Sequence, residues 1–102
     1  MQLPTHDALV RRLIFEFGYP TSYVAKFADE LLQLEPQLQE AFSIWWYTGA
    51  IPSFAIEGFT IQRLVDEYRS TIPNAFTTLD WLIREPEVAL YSLTHPRCGG
   101  VA

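Results

Sequence analysis

Four segments of this chain repeat one apolar spacing, and that repetition constrains the fold more than any other feature. Val10, Leu13, Ile14 and Phe17 stand at i, i+3, i+4 and i+7. Val24, Phe27, Ala28 and Leu31 do the same, as do Leu38, Ala41, Phe42 and Trp45, and then Ile61, Leu64, Val65 and Tyr68. This spacing lays one stripe along a helix of 3.6 residues per turn and fits no strand. The chain therefore reads as all-α.

Punctuation residues set the expected boundaries. The first helix is expected over about 7–17, capped by Thr5 and closed by Gly18 before Pro20. The second starts after Thr21 or Ser22 and runs to about 34. Glu35-Pro36 starts the third, because proline suits the first helical turn and disfavours helix in the residue before it. That helix ends at Thr48-Gly49. Thr60 caps a fourth helix over about 60–69. Asn74 is expected to cap a fifth, running to about 84, and Glu85-Pro86 starts a short sixth to about 93. Trp81 points away from the Leu79 face, so its burial depends on a neighbour that the sequence does not identify. The expected architecture is one domain over 1–95 of five or six short helices in irregular, orthogonal packing, with a loose tail at 96–102.

Residues 49–59 break the pattern. Ile51, Phe54, Ile56 and Phe59 are apolar without helical period, and Pro52 rules out a central strand. The expectation is an ordered apolar loop that crosses the core, its backbone bonded locally through Ser53, Glu57 and Thr60. Just before it, Ile44, Trp46 and Tyr47 make the last turn of the third helix apolar almost all round. Aromatic residues form 15% of the chain, more than one small core comfortably encloses. The excess should form a surface patch, and contiguous apolar patches mark interaction sites. Trp46, Tyr47, Ile51 and Phe54 are the candidate contact residues, since tryptophan and tyrosine dominate interface energies. The partner is expected to be another protein or a second copy of the chain.

Other chemistry finds little support. Twelve acids against seven bases give a net charge of −5, the wrong sign for a phosphate-binding face. The helices about 60–69 and 74–84 nonetheless have the layout of a helix-turn-helix, with Asn74, Thr77, Thr78 and Arg84 on the second. A DNA-binding regulator is the alternative reading, and it requires a positive surface around Arg63, Arg69 and Arg84. A single cysteine, Cys98, excludes an internal disulfide. His95-x-x-Cys98 offers two soft ligands where structural zinc wants four. No phosphate loop, nucleophile elbow or His-Glu-x-x-His occurs, so neither an enzyme nor a cofactor or metal protein is expected. Asp80 and Glu57 sit in apolar neighbourhoods, and a structural role is expected for each. No apolar run reaches the ~18 residues of a membrane span, and no signal peptide is visible. The expected location is the cytoplasm.

Overall fold

The computed structural model describes residues 2–95. It is a compact all-α domain of six helices. They are α1 His6–Phe15, α2 Thr21–Leu32, α3 Pro36–Thr48, α4 Ile61–Tyr68, α5 Ile72–Arg84 and α6 Pro86–Thr94. The proposed tail at 96–102, with Cys98, lies outside the described residues.

α5 is the centre. It packs against α2, α3, α4 and α6, while α1 packs on α2. Its Ala75, Phe76 and Leu79 are fully buried, with Pro73 and Leu82 beside them. The ring of Phe76 meets Phe42 edge-on at 5.2 Å and lies 6.2 Å from Trp45. Edge-to-face pairs bring the positive ring edge to the negative face, which adds to area burial.

The stripes of α2 and α3 are buried as their spacing requires: Val24, Phe27, Ala28 and Leu31, then Leu38, Ala41, Phe42 and Trp45. Leu34 is also buried but lies past the end of α2, which stops at Leu32. Its carbonyl accepts from Gln39 Nε2 at 2.8 Å instead of from a helical N–H.

α1 departs more. It ends at Phe15, two residues before the expected Phe17. Gly18, at φ +70°, folds the chain back so that the Gly18 and Tyr19 N–H groups reach the Ile14 and Leu13 carbonyls. The buried pair is Leu9 and Leu13, while Val10, Ile14 and Phe17 pack at the core's edge. Phe15 is 81% exposed, so it is not among the core aromatics.

α5 begins earlier than its sequence suggests. Thr71, not Asn74, is the cap, and its hydroxyl accepts from the Asn74 N–H at 3.2 Å. Pro73 explains the difference, since its fixed φ and missing N–H suit a first turn. Asn74 is thereby released to accept from the Tyr19 hydroxyl at 3.1 Å, and Tyr19 also bonds the Thr71 hydroxyl. Burial raises the Tyr19 pKa, the Thr71 bond partly opposes that, and Tyr23 adds to it. A raised pKa keeps Tyr19 protonated in the folded state at pH values where the unfolded chain releases the proton. The stability it contributes is thus complete below about pH 10 and is lost as pH rises through the folded pKa. Denaturant unfolding between about pH 9 and pH 11 should show the wild type losing stability faster than Tyr19→Phe.

Ser43 is the one buried polar residue among those described, 1% exposed within the apolar stripe of α3, and its hydroxyl has no partner there. An unpaired buried hydroxyl costs about 1–3 kcal/mol, and replacing it by an apolar group of similar shape removes that cost. Ser43→Ala is expected to raise stability by about 1 kcal/mol, a rise of about 4–8 °C in the midpoint of thermal unfolding.

Candidate functional site

The loop after α3 is ordered, but it lies over the surface rather than crossing the core. Only Phe59 is buried, Pro52 and Ile56 are partly covered, and Ile51, Ser53, Phe54 and Ala55 are exposed. Both ends are pinned. At the first, Gly49 takes φ +80° as the left-handed cap of α3. Thr48 Oγ1 donates to the Ile44 carbonyl at 2.6 Å and accepts from the Ala50 N–H at 3.1 Å. At the second, Ile56 and Phe59 exchange two backbone bonds of 2.8 and 2.9 Å. The two residues between them, Glu57 and Gly58, both have positive φ, as a tight turn with its centre in the left-handed region requires. Arg63 locks this turn by lying 4.4 Å over the Phe59 ring and donating to the Gly58 carbonyl at 3.1 Å. Between the two anchors the backbone of residues 51–55 makes no hydrogen bond to any described residue.

This suspended segment lies beside the outer face of α3, and the two enclose a groove of about 290 Å³. Its apolar lining is Ala41, Ile44, Ile51, Pro52 and Phe54. Gln37, Glu40 and Ser53 supply the polar part of the lining. No charged residue or histidine occurs anywhere from 41 to 56.

The four expected contact residues are only partly brought together. Ile51 and Phe54 line the groove, and Tyr47 is 54% exposed near it in sequence but is not part of its lining. Trp46 belongs elsewhere. Its ring packs against the core, 5.9 Å from Phe42, and the Arg12 guanidinium stacks on it at 4.5 Å. Arg12 also donates to the Trp46 carbonyl at 2.9 Å. That carbonyl is in the last turn of α3, where no helical N–H remains to meet it. Arg12 therefore clamps α1 to the end of α3. Ile44 takes the place in the groove that the sequence reading gave to Trp46. Two residues apart on a helix means about 200° apart, so the two cannot serve one face.

A second cleft of about 410 Å³ lies between α2 and α5, lined by Glu30, Gln33, Thr77, Asp80, Trp81, Arg84 and Glu85. It gathers Asp80 with other titratable groups, yet its polar atoms are largely occupied by one another. Asp80 Oδ1 accepts from the Glu35 N–H at 3.0 Å and Oδ2 from Arg84 at 2.9 Å. Arg84 also donates to the Gln33 carbonyl at 2.7 Å and pairs with Glu35 at 3.4 Å. Trp81, whose burial the sequence left open, is partly buried and donates from Nε1 to Glu85 at 3.2 Å. Asp80 is thus a fastener between α5 and the α2–α3 corner. Glu57 is an exposed turn residue outside the lining of either cleft. Among the described residues, no three His, Cys, Asp or Glu side chains are placed to hold a metal ion.

The segment read as a helix-turn-helix consists of α4, a three-residue turn and α5, with bounds of 61–68 and 72–84 rather than 60–69 and 74–84. Arg69 turns the corner at φ +55°. No residue of α5 from Ile72 to Ile83 is exposed. Arg63 is paired with Glu67, and Arg84 with Asp80 and Glu35. No described helix is long and apolar enough to cross a membrane. No family model, curated protein or solved structure matches the chain.

Proposed function

We propose that this chain is a protein–protein interaction module that engages its partner across the groove between α3 and the 50–55 loop. One observation carries the reading: an apolar groove, walled by Ile44, Ile51 and Phe54, beside a backbone segment that is anchored at both ends and, between them, bonded to no described residue. Keeping large apolar side chains in water forfeits about 25 cal/mol for each Å² left exposed. Unpaired backbone groups in an ordered segment add donors and acceptors that a partner can satisfy. The two anchors hold the segment in shape before binding, which lowers the ordering cost of association. A cytoplasmic setting fits a chain with one cysteine, since disulfide frameworks belong to oxidising compartments.

A DNA-binding role draws less support. A recognition helix must offer side chains to a groove, whereas α5 gives its surface to four neighbouring helices.

The test is site-specific photo-cross-linking in cells, with p-benzoylphenylalanine at position 54 and, as control, at position 91. Tyr91, on α6, is 65% exposed against 37% for Phe54, so the control position is the more accessible of the two and lies outside the groove. The expected result is a discrete adduct from position 54 and none from position 91. No adduct from position 54, or the same adducts from both, would overturn the proposal.

A further inference from the structure

We infer that the cleft between α2 and α5 is a second binding site, and that its ligand is a guanidinium group, from a free base or from an arginine side chain of another polypeptide. The site shares no lining residue with the α3 groove, so it stands or falls apart from the interaction reading.

Two helices build the cleft. Glu30 stands in the last turn of α2, and Gln33 is the cap that follows. Thr77, Trp81 and Arg84 stand at i, i+4 and i+7 on α5, which keeps them on one side of that helix. The space of about 410 Å³ suits an organic group, since sites for such ligands run from about 300 to 1,000 Å³. Its charge is negative. Three acids against one base line it, and Arg84 is already engaged by Asp80, Glu35 and the Gln33 carbonyl. The Glu30 side chain makes no hydrogen bond or ion pair with a described residue. The Glu85 carboxylate accepts from Trp81 Nε1 at 3.2 Å, a neutral donor that does not offset its charge. A cleft lined by one sign of charge concentrates the opposite ion.

The fold itself shows which cation suits such a wall. Arg12 lies 4.5 Å over the Trp46 ring and donates from Nε to Glu16 at 3.1 Å. Arg63 lies 4.4 Å over the Phe59 ring and donates from Nε to Glu67 at 3.1 Å. In both places one guanidinium serves an aromatic face and a carboxylate together. Trp81 and Glu85 offer the same pair, joined by their own hydrogen bond, yet no arginine among the described residues stacks on the Trp81 ring. Arg84 is bonded instead to Asp80 and Glu35. A guanidinium from outside completes the arrangement. It is planar and weakly hydrated, so it stacks on an indole while its edge donates to a carboxylate, whereas an ammonium is a compact, strongly hydrated point charge. Glu30, on the α2 side of the cleft, is the second carboxylate that can receive it.

The experiment is a titration of the full-length chain with propylguanidinium, followed by nitrogen–proton correlation spectra. The chain has three tryptophans, and the indole signal absent from Trp81→Phe identifies Trp81. The expected result is a saturable shift of the Trp81 indole and of the Glu30, Gln33 and Thr77 amides, with a Kd of about 1 mM, while the Trp45 and Trp46 indoles stay in place. Propylammonium should bind at least about threefold more weakly. Glu30 and Glu85 are both exposed, so Glu30→Gln combined with Glu85→Gln should leave the circular dichroism unchanged and weaken binding about tenfold. Glu57→Gln, a loss of one charge at an exposed turn outside the cleft, should leave the Kd within about twofold. N-acetyl-arginine amide identifies the source. Binding tighter than that of propylguanidinium assigns the site to an arginine side chain, and equal or weaker binding assigns it to a free base. No shift at about 20 mM, equal affinity for propylammonium, or binding indifferent to the double substitution overturns the inference.

Discussion

Phe76→Ala is expected to remove about 3–5 kcal/mol of stability, out of a total of about 5–15 kcal/mol for a domain of this kind. Phe76 is fully buried on the helix that touches four others. Its ring is the common neighbour of Phe42 and Trp45, both from α3. Truncation forfeits the transfer energy of the ring and leaves a void that two large aromatic rings cannot easily fill. α5 cannot slide to close it, since α2, α4 and α6 hold it from other sides. Chemical unfolding should show a urea midpoint lower by more than about 1 M. Phe15→Ala is the contrast: the same side chain, 81% exposed, should change stability by no more than about 0.5 kcal/mol. Equal costs at the two positions would mean that the core is not built around α5.

That contrast also marks where the sequence was legible. The stripes of α2 and α3 could be read because four apolar positions in phase admit only one buried face. α1 offered two sets that overlap at Leu13, Leu9 with Leu13 and Val10 with Leu13, Ile14 and Phe17. The choice fell to the contact with α2, which no local pattern encodes. Asn74 was a reasonable cap by residue type, but Pro73 in the first turn moved the start back to Thr71. The loop misled differently. Apolar composition suggested burial, yet burying residues 50–55 would have stranded backbone groups that no element was left to pair. The groove itself was half visible, in Ile51 and Phe54. Ile44 could have been found on a helical wheel, one turn from Ala41 on the side opposite Trp46. What no wheel could supply is the Arg12 clamp, a contact between residues 34 apart in sequence, and it is this clamp that assigns Trp46 to the fold.

Asp80→Ala is expected to cost about 2–3 kcal/mol, most of it through one hydrogen bond rather than through the adjacent ion pair. Asp80 accepts from the N–H of Glu35, the residue that precedes Pro36 at the start of α3 and has no side-chain cap of its own. A backbone bond to a charged acceptor contributes about 1.5–3 kcal/mol, and losing it leaves a donor unmet. The carboxylate also sits at the positive end of the α3 dipole, which favours it by a further few tenths of a kcal/mol. Arg84, by contrast, is half exposed where it meets Asp80, and pairs of that kind contribute about 0–1 kcal/mol. Two variants separate the terms. Asp80→Asn keeps an oxygen for the Glu35 N–H while losing the charge, and should cost less than about 1.5 kcal/mol. Arg84→Ala should cost less than about 1 kcal/mol. In a double-mutant cycle with Asp80→Ala the coupling should be smaller than the cost of Asp80→Ala alone. If Arg84→Ala instead matched Asp80→Ala, the ion pair would be the fastener, and the α2–α5 cleft would weaken with added salt. The bond to Glu35 is shielded from that screening, so the expected stability difference between wild type and Asp80→Ala persists as salt is raised.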